Sequence, residues 1–149
     1  MLLWLPIVGG DPAPAGRWPQ LVALEGQDGD LCTGTLVAPD WVLTAGHCQN
    51  MQTAHVGALD YTANGETLAV VEQIVHPEPR ATFDVSLLRL ERAATGVTPA
   101  RLLTGCMAAF IQEDADLTVT GYGWLDREAT QQNSILHEVV VPIVDPTCT

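Results

Sequence analysis

Residues 32–48 read Cys-Thr-Gly-Thr-Leu-Val-Ala-Pro-Asp-Trp-Val-Leu-Thr-Ala-Gly-His-Cys. Two short apolar stretches, 31–37 and 41–44, flank Pro39 and Asp40, a pair that favours a turn. The pattern predicts two strands, the second running into Ala45 and Gly46 and then His47. Small residues let backbone and solvent approach closely, so this histidine stands at the rim of a strand-built scaffold. Cys32 and Cys48 lie 16 positions apart. In an oxidising compartment a bridge between them would pin the turn after His47, adding on the order of 3 kcal/mol by restricting the unfolded chain.

Outward from this segment the pattern stays all-β. Short apolar stretches at 20–25, 31–37, 41–44, 53–56, 67–76 and 85–90 predict six strands, with turn residues at 26–29, 39–40, 64–65 and 77–79 between them. Six short strands suit a small closed barrel. Residues 91–105, with two glycines, a proline and three alanines, predict a connector. Strands resume at 116–122 and 136–141. Two strands cannot close a barrel and would leave an open apolar face. The expected organisation is a leader remnant or start artefact at 1–6, a first β-barrel with its connector at 7–105, and the beginning of a second barrel at 106–149.

The charge excludes some partners. All six basic residues are arginine, and the net charge is −12, so a nucleic-acid partner is not expected. No apolar run reaches the roughly 18–20 residues of a membrane helix, and a membrane partner is not expected either. His55, His76 and His137 lie far apart and no close Cys-x-x-Cys pair occurs, so no zinc site is expected. The stretch 57–72 offers only Asp60, Glu66 and Glu72, too little to predict a calcium loop.

Asp84 is the second candidate for chemistry. Val85, Leu87, Leu88 and Leu90 follow it, placing a carboxylate at the mouth of a buried strand, where it is costly unless paired. A histidine donor is a natural partner, because the carboxylate would hold the imidazole in one tautomer and stabilise its cation.

With His47 and Asp84 in these settings, the chain resembles the chymotrypsin- and trypsin-like serine proteases. The resemblance rests on Cys32, Gly34, Leu36, Trp41, Ala45, His47 and Cys48, and on Asp84 with its apolar run ending in Arg89 and Leu90. It is extended by Ile7-Val8-Gly9-Gly10, by Trp18-Pro19-Gln20-Leu21-Val22-Ala23-Leu24 and by Thr120-Gly121-Tyr122-Gly123-Trp124. The resemblance implies a double β-barrel, the first six-stranded barrel complete and the second begun. It implies a serine-type endopeptidase acting on polypeptides through an acyl-enzyme, without a cofactor, in a secreted or periplasmic setting. His47 would be the general base and Asp84 its orienting carboxylate. Ile7 would be the new N-terminus after activating cleavage.

The chain departs from the family pattern in places. Pro6 precedes Ile7 where an activating protease would cut after a basic residue. Leu117 stands where many members carry a cysteine, and Cys106 and Cys148 have no evident family partner here. His47 and Asp84 are 37 positions apart, a shorter interval than is usual. Proteases of this kind run to roughly 200–250 residues. The segment that would hold the nucleophilic serine, the oxyanion-hole amides and the specificity pocket is absent from the sequence. Ser86 and Ser134 are the only serines, and neither has a glycine-flanked setting. Two readings follow: a truncated endopeptidase chain, inactive alone, or a non-catalytic homologue that serves as a protein-binding module.

Overall fold

The computed structural model describes residues 10–77, 83–104, 111–126, 130 and 132–144. Among them are nine strands and no helix: β1 (Asp11–Pro12), β2 (Leu21–Gly26), β3 (Leu31–Ala38), β4 (Trp41–Thr44), β5 (Met51–Val56), β6 (Glu66–Val75), β7 (Ser86–Leu90), β8 (Asp116–Trp124) and β9 (Gln132–Pro142).

Six of them close a barrel in the order β2-β3-β4-β7-β6-β5, with antiparallel neighbours throughout. Alternation explains the closure. Along β7, Ser86, Leu88 and Leu90 are buried, whereas Leu87 between them is exposed. Val22, Leu24, Leu36, Val42, Ala54, Val56 and Leu68 complete the interior. Gly34 sits where β2, β3 and β4 converge. A Cβ there would lie 2.5 Å from Val42 Cγ1 and 3.0 Å from Leu24 Cδ1, so the contact needs a residue without a side chain.

All six strands expected for the barrel are present, with ends displaced by a residue or two. The stretch 57–72 is not one loop, because Glu66 and Glu72 belong to β6. The connector carries no strand among its described residues. It crosses the barrel instead, donating from Ala94 N to Pro39 O (2.7 Å) and from Ala100 N to Leu36 O (2.8 Å).

The second sheet has the order β1-β9-β8. It extends the expected pair in two ways. β9 starts at Gln132, and β1, a two-residue strand near the start of the chain, pairs with it at Asp11↔Glu138 and Pro12↔His137. This sheet joins the barrel through a second apolar cluster of Ala13, Leu21, Ala23, Leu31, Tyr122 and Leu136. Its far end stays open. Leu117 and Val119 of β8 stand opposite Val141 and Val139 of β9, and both β8 residues are exposed.

Candidate active site

Strand pairing brings the two candidate residues together. Thr44, the last residue of β4, pairs with Ser86, the first residue of β7. His47 is three residues beyond Thr44 and Asp84 two residues before Ser86, so both leave the same end of adjacent antiparallel strands. An interval of 37 positions collapses to a contact: His47 Nδ1 lies 2.6 Å from Asp84 Oδ2, and the His47 amide donates to Asp84 Oδ1 at 2.8 Å.

The His47 hydrogen bond, opposed by a smaller desolvation, holds the Asp84 carboxyl below its ordinary value, so the carboxylate is ionised at neutral pH. An ionised carboxylate only accepts, so the ring proton sits on Nδ1 and Nε2 is the basic nitrogen of the neutral imidazole. Nε2 has no partner among the described residues. The Asp84 side chain is 50% exposed and that of His47 51%, so the carboxylate stands at the mouth of the buried strand and not inside it. The pairing satisfies the carboxylate, and one side of the pair faces open space.

The turn that carries His47 is tied down from several directions. Cys32 and Cys48 form a disulfide with a Cα–Cα distance of 6.2 Å. Cys48 N donates to Ala45 O at 3.2 Å, closing the turn. Thr44 Oγ1 donates to Thr33 O at 3.0 Å. Two further tethers were not legible in the sequence. Ser86 Oγ donates to Ala45 O at 3.0 Å, and Gln73 Nε2, from β6, donates to Cys48 O at 2.7 Å.

Other candidates fall elsewhere. Ser86 is buried and bonded to the turn backbone. The Ser134 hydroxyl bonds Asp60, and its carbonyl accepts from Tyr61 N at 3.3 Å. Ligand atoms of Cys32, His47 and Cys48 lie within 4.8 Å of one another. The disulfide occupies both sulfurs and leaves no thiolate, so the trio does not fit a metal ion. Asp60 accepts from Thr62, Glu66 from Arg92 and Thr95, and Glu72 from Arg89 at 2.7 Å, so all three carboxylates are committed to protein donors. Ile7, Cys106 and Cys148 lie outside the described residues.

Comparison with known proteins bears on the family and the fold. The family model described as Trypsin matches residues 7–149. Serine protease 28 of Mus musculus is 31% identical over 158 residues, an alignment covering 93% of this chain and 57% of that protein. Chymotrypsin-like elastase family member 1 of Canis lupus familiaris is 28% identical over 161 residues, covering 93% of this chain and 60% of its own. A solved structure of HL collagenase superposes with a TM-score of 0.78 at 23% identity, over 93% of this chain and 64% of that one, a likeness of fold. A structure of GrC gives 0.80 at 26% identity, over 93% and 66%. The chain therefore spans 57% and 60% of the lengths of the two curated relatives. The family match from residue 7 to residue 149, over a closed six-stranded barrel and a partial second sheet, makes this chain a member of the trypsin family.

Proposed function

We propose that this chain carries the proton-transfer half of a serine endopeptidase, with His47 as general base and Asp84 as the carboxylate that orients it. The observation that carries the reading is the two-point contact of Asp84 with the His47 amide and ring at the rim of a closed barrel. His47 Nε2 would take the proton of a serine hydroxyl as that oxygen attacks a peptide carbonyl. The same nitrogen would return the proton to the leaving amine, and the acyl-enzyme would then be hydrolysed. Asp84 would hold Nδ1–H throughout and stabilise the imidazolium that forms.

Neither serine of the sequence stands at His47, so the nucleophile and the oxyanion-hole amides would come from further polypeptide. Each such amide is worth roughly 2.7–4 kcal/mol of transition-state stabilisation. Residues 7–105 then make the first unit and 106–149 begin the second, with β1 lent to the second sheet. Ile7 would be the terminus freed on activation. The disulfide suits an oxidising compartment, which supports a secreted or periplasmic location. A binding module has no use for a tautomer-fixing His–Asp pair, which favours the endopeptidase reading.

The test reads the coding DNA beyond the Thr149 codon in all three frames. A Gly-Asp-Ser-Gly-like segment roughly 30–60 codons on, scaled to a unit of about 200–250 residues, is the expected result. In a chain extended to include it, His47→Ala lowers kcat by more than about 10⁴-fold. A stop codon with no such segment overturns the proposal and leaves the binding module.

A further inference from the structure

The His47 turn presents two backbone carbonyls toward the barrel, Ala45 O on one side of Gly46-His47 and Cys48 O on the other. Carbonyls only accept, so whatever reaches them must donate. Gln73 meets this with its amide nitrogen, 2.7 Å from Cys48 O and 3.5 Å from Ser86 Oγ. Ser86 passes its own hydroxyl hydrogen to Ala45 O at 3.0 Å, which frees its oxygen to accept from Gln73. The chain of donors is consistent in direction: Gln73 N–H to Ser86 O–H to Ala45 O, with the second Gln73 hydrogen on Cys48 O.

Cooperation along such a chain stiffens each member. Ser86 is 2% exposed, so its hydroxyl has no water alternative. The hydroxyl sits two residues after Asp84 and bonds the residue two before His47. The register of the carboxylate and the register of the imidazole are thereby linked through one side chain, and Gln73 ties the same point to β6.

The geometry points to Gln73 and Ser86 as positioning residues: a side-chain relay that holds the His47 turn in the one conformation in which both the amide and the ring of His47 meet Asp84. The inference rests on the reading of His47 as the base, yet the contact it concerns is observable without any peptidase activity.

The test is made on the 149-residue chain by NMR, with Gln73→Met, which keeps length and removes the donor, and Ser86→Ala. Two signals are read: the low-field resonance of the Nδ1 proton shared with Asp84, and hydrogen exchange at the His47 amide. Each variant is expected to broaden or abolish the resonance. Each is also expected to speed exchange at that amide by roughly three- to tenfold, the equivalent of one net hydrogen bond. Paired amides of β2 and β5 should exchange as before. Ser86→Ala carries the test alone if Gln73→Met does not fold. Variants that keep both His47 signals, or that speed exchange over the whole barrel equally, overturn the inference. Absence of peptidase activity in an extended chain would bear on the proposed function and leave this result standing.

Discussion

At Asp84, one carboxylate fastens two atoms of a single residue, one oxygen on the His47 amide and the other on its ring. Both bonds favour the charged form, which is why this carboxyl lies below its ordinary value. A carboxyl with a depressed folded value stabilises the fold fully above its unfolded pKa, about 3.9 for aspartate. That contribution is lost as the pH falls through the lower folded value. Water reaches half of each side chain, so the amount is small and salt reduces it further. Asn has one acceptor oxygen and one NH2 donor, so Asp84→Asn keeps the bond from the His47 amide but meets the ring only by donating to Nδ1 in the opposite tautomer, and without the charge. Melting temperatures of the wild type and Asp84→Asn are expected to differ modestly at neutral pH and to converge once the solution is acid enough to protonate Asp84. A difference that widens on acidification would contradict the assignment. In an extended, active chain the same substitution lowers kcat by about 10⁴-fold through the wrong tautomer, read from steady-state rates.

β3 and β4 bear both the core and the site, and their sequence is the most legible part of the chain. Leu36 and Val42 alternate inward, Gly34 allows the close approach, and the cysteines bracket the pair. Replacing Cys32 and Cys48 together by Ser is expected to cost about 2–4 kcal/mol in denaturant unfolding. Gly34→Ala is expected to cost about 1–3 kcal/mol, because Val42 and Leu24 must move to admit one methyl group. These strands could be read because period-2 burial writes itself into the sequence. β1 could not, since Asp11 and Pro12 become a strand only through β9, more than 120 positions away. The start of β9 was hidden for a related reason: Gln132, Asn133 and Ser134 carry no apolar alternation, and ladder bonds alone extend it. The site divides the same way. His47 and Asp84 are marked by local context, whereas Gln73 and Ser86 acquire their partners from strand register, which no short window contains.

Across the whole molecule the two sheets differ in how they are held. The barrel closes on itself and has no free edge. The second sheet has β8 at one edge, exposes Leu117, Val119 and Val140, and reaches the barrel through a smaller cluster. Polar ties supplement that cluster. Glu138 accepts from Arg17 Nη1 at 2.9 Å and from Trp18 Nε1 at 2.6 Å, binding β9 to the segment after β1. The Tyr122 amide donates to Thr33 Oγ1 at 2.9 Å, and its buried phenol donates to Ala58 O. Burial pushes that phenol well above its ordinary pKa, so it stays a donor through neutral pH. Regions with fewer buried contacts open at lower free energy than the core they lean on. Hydrogen exchange along β8–β9 is therefore expected to be faster than along β2–β5. Tyr122→Phe removes the phenol donor and leaves the Ala58 carbonyl unpaired, a loss of about 1–3 kcal/mol. It should speed exchange in β8 and β9 while the paired amides of β2 and β5 keep their rates. If Tyr122→Phe instead speeds both sheets equally, barrel and second sheet unfold as one cooperative unit, and the closed barrel is not the independent scaffold on which His47 and Asp84 rest.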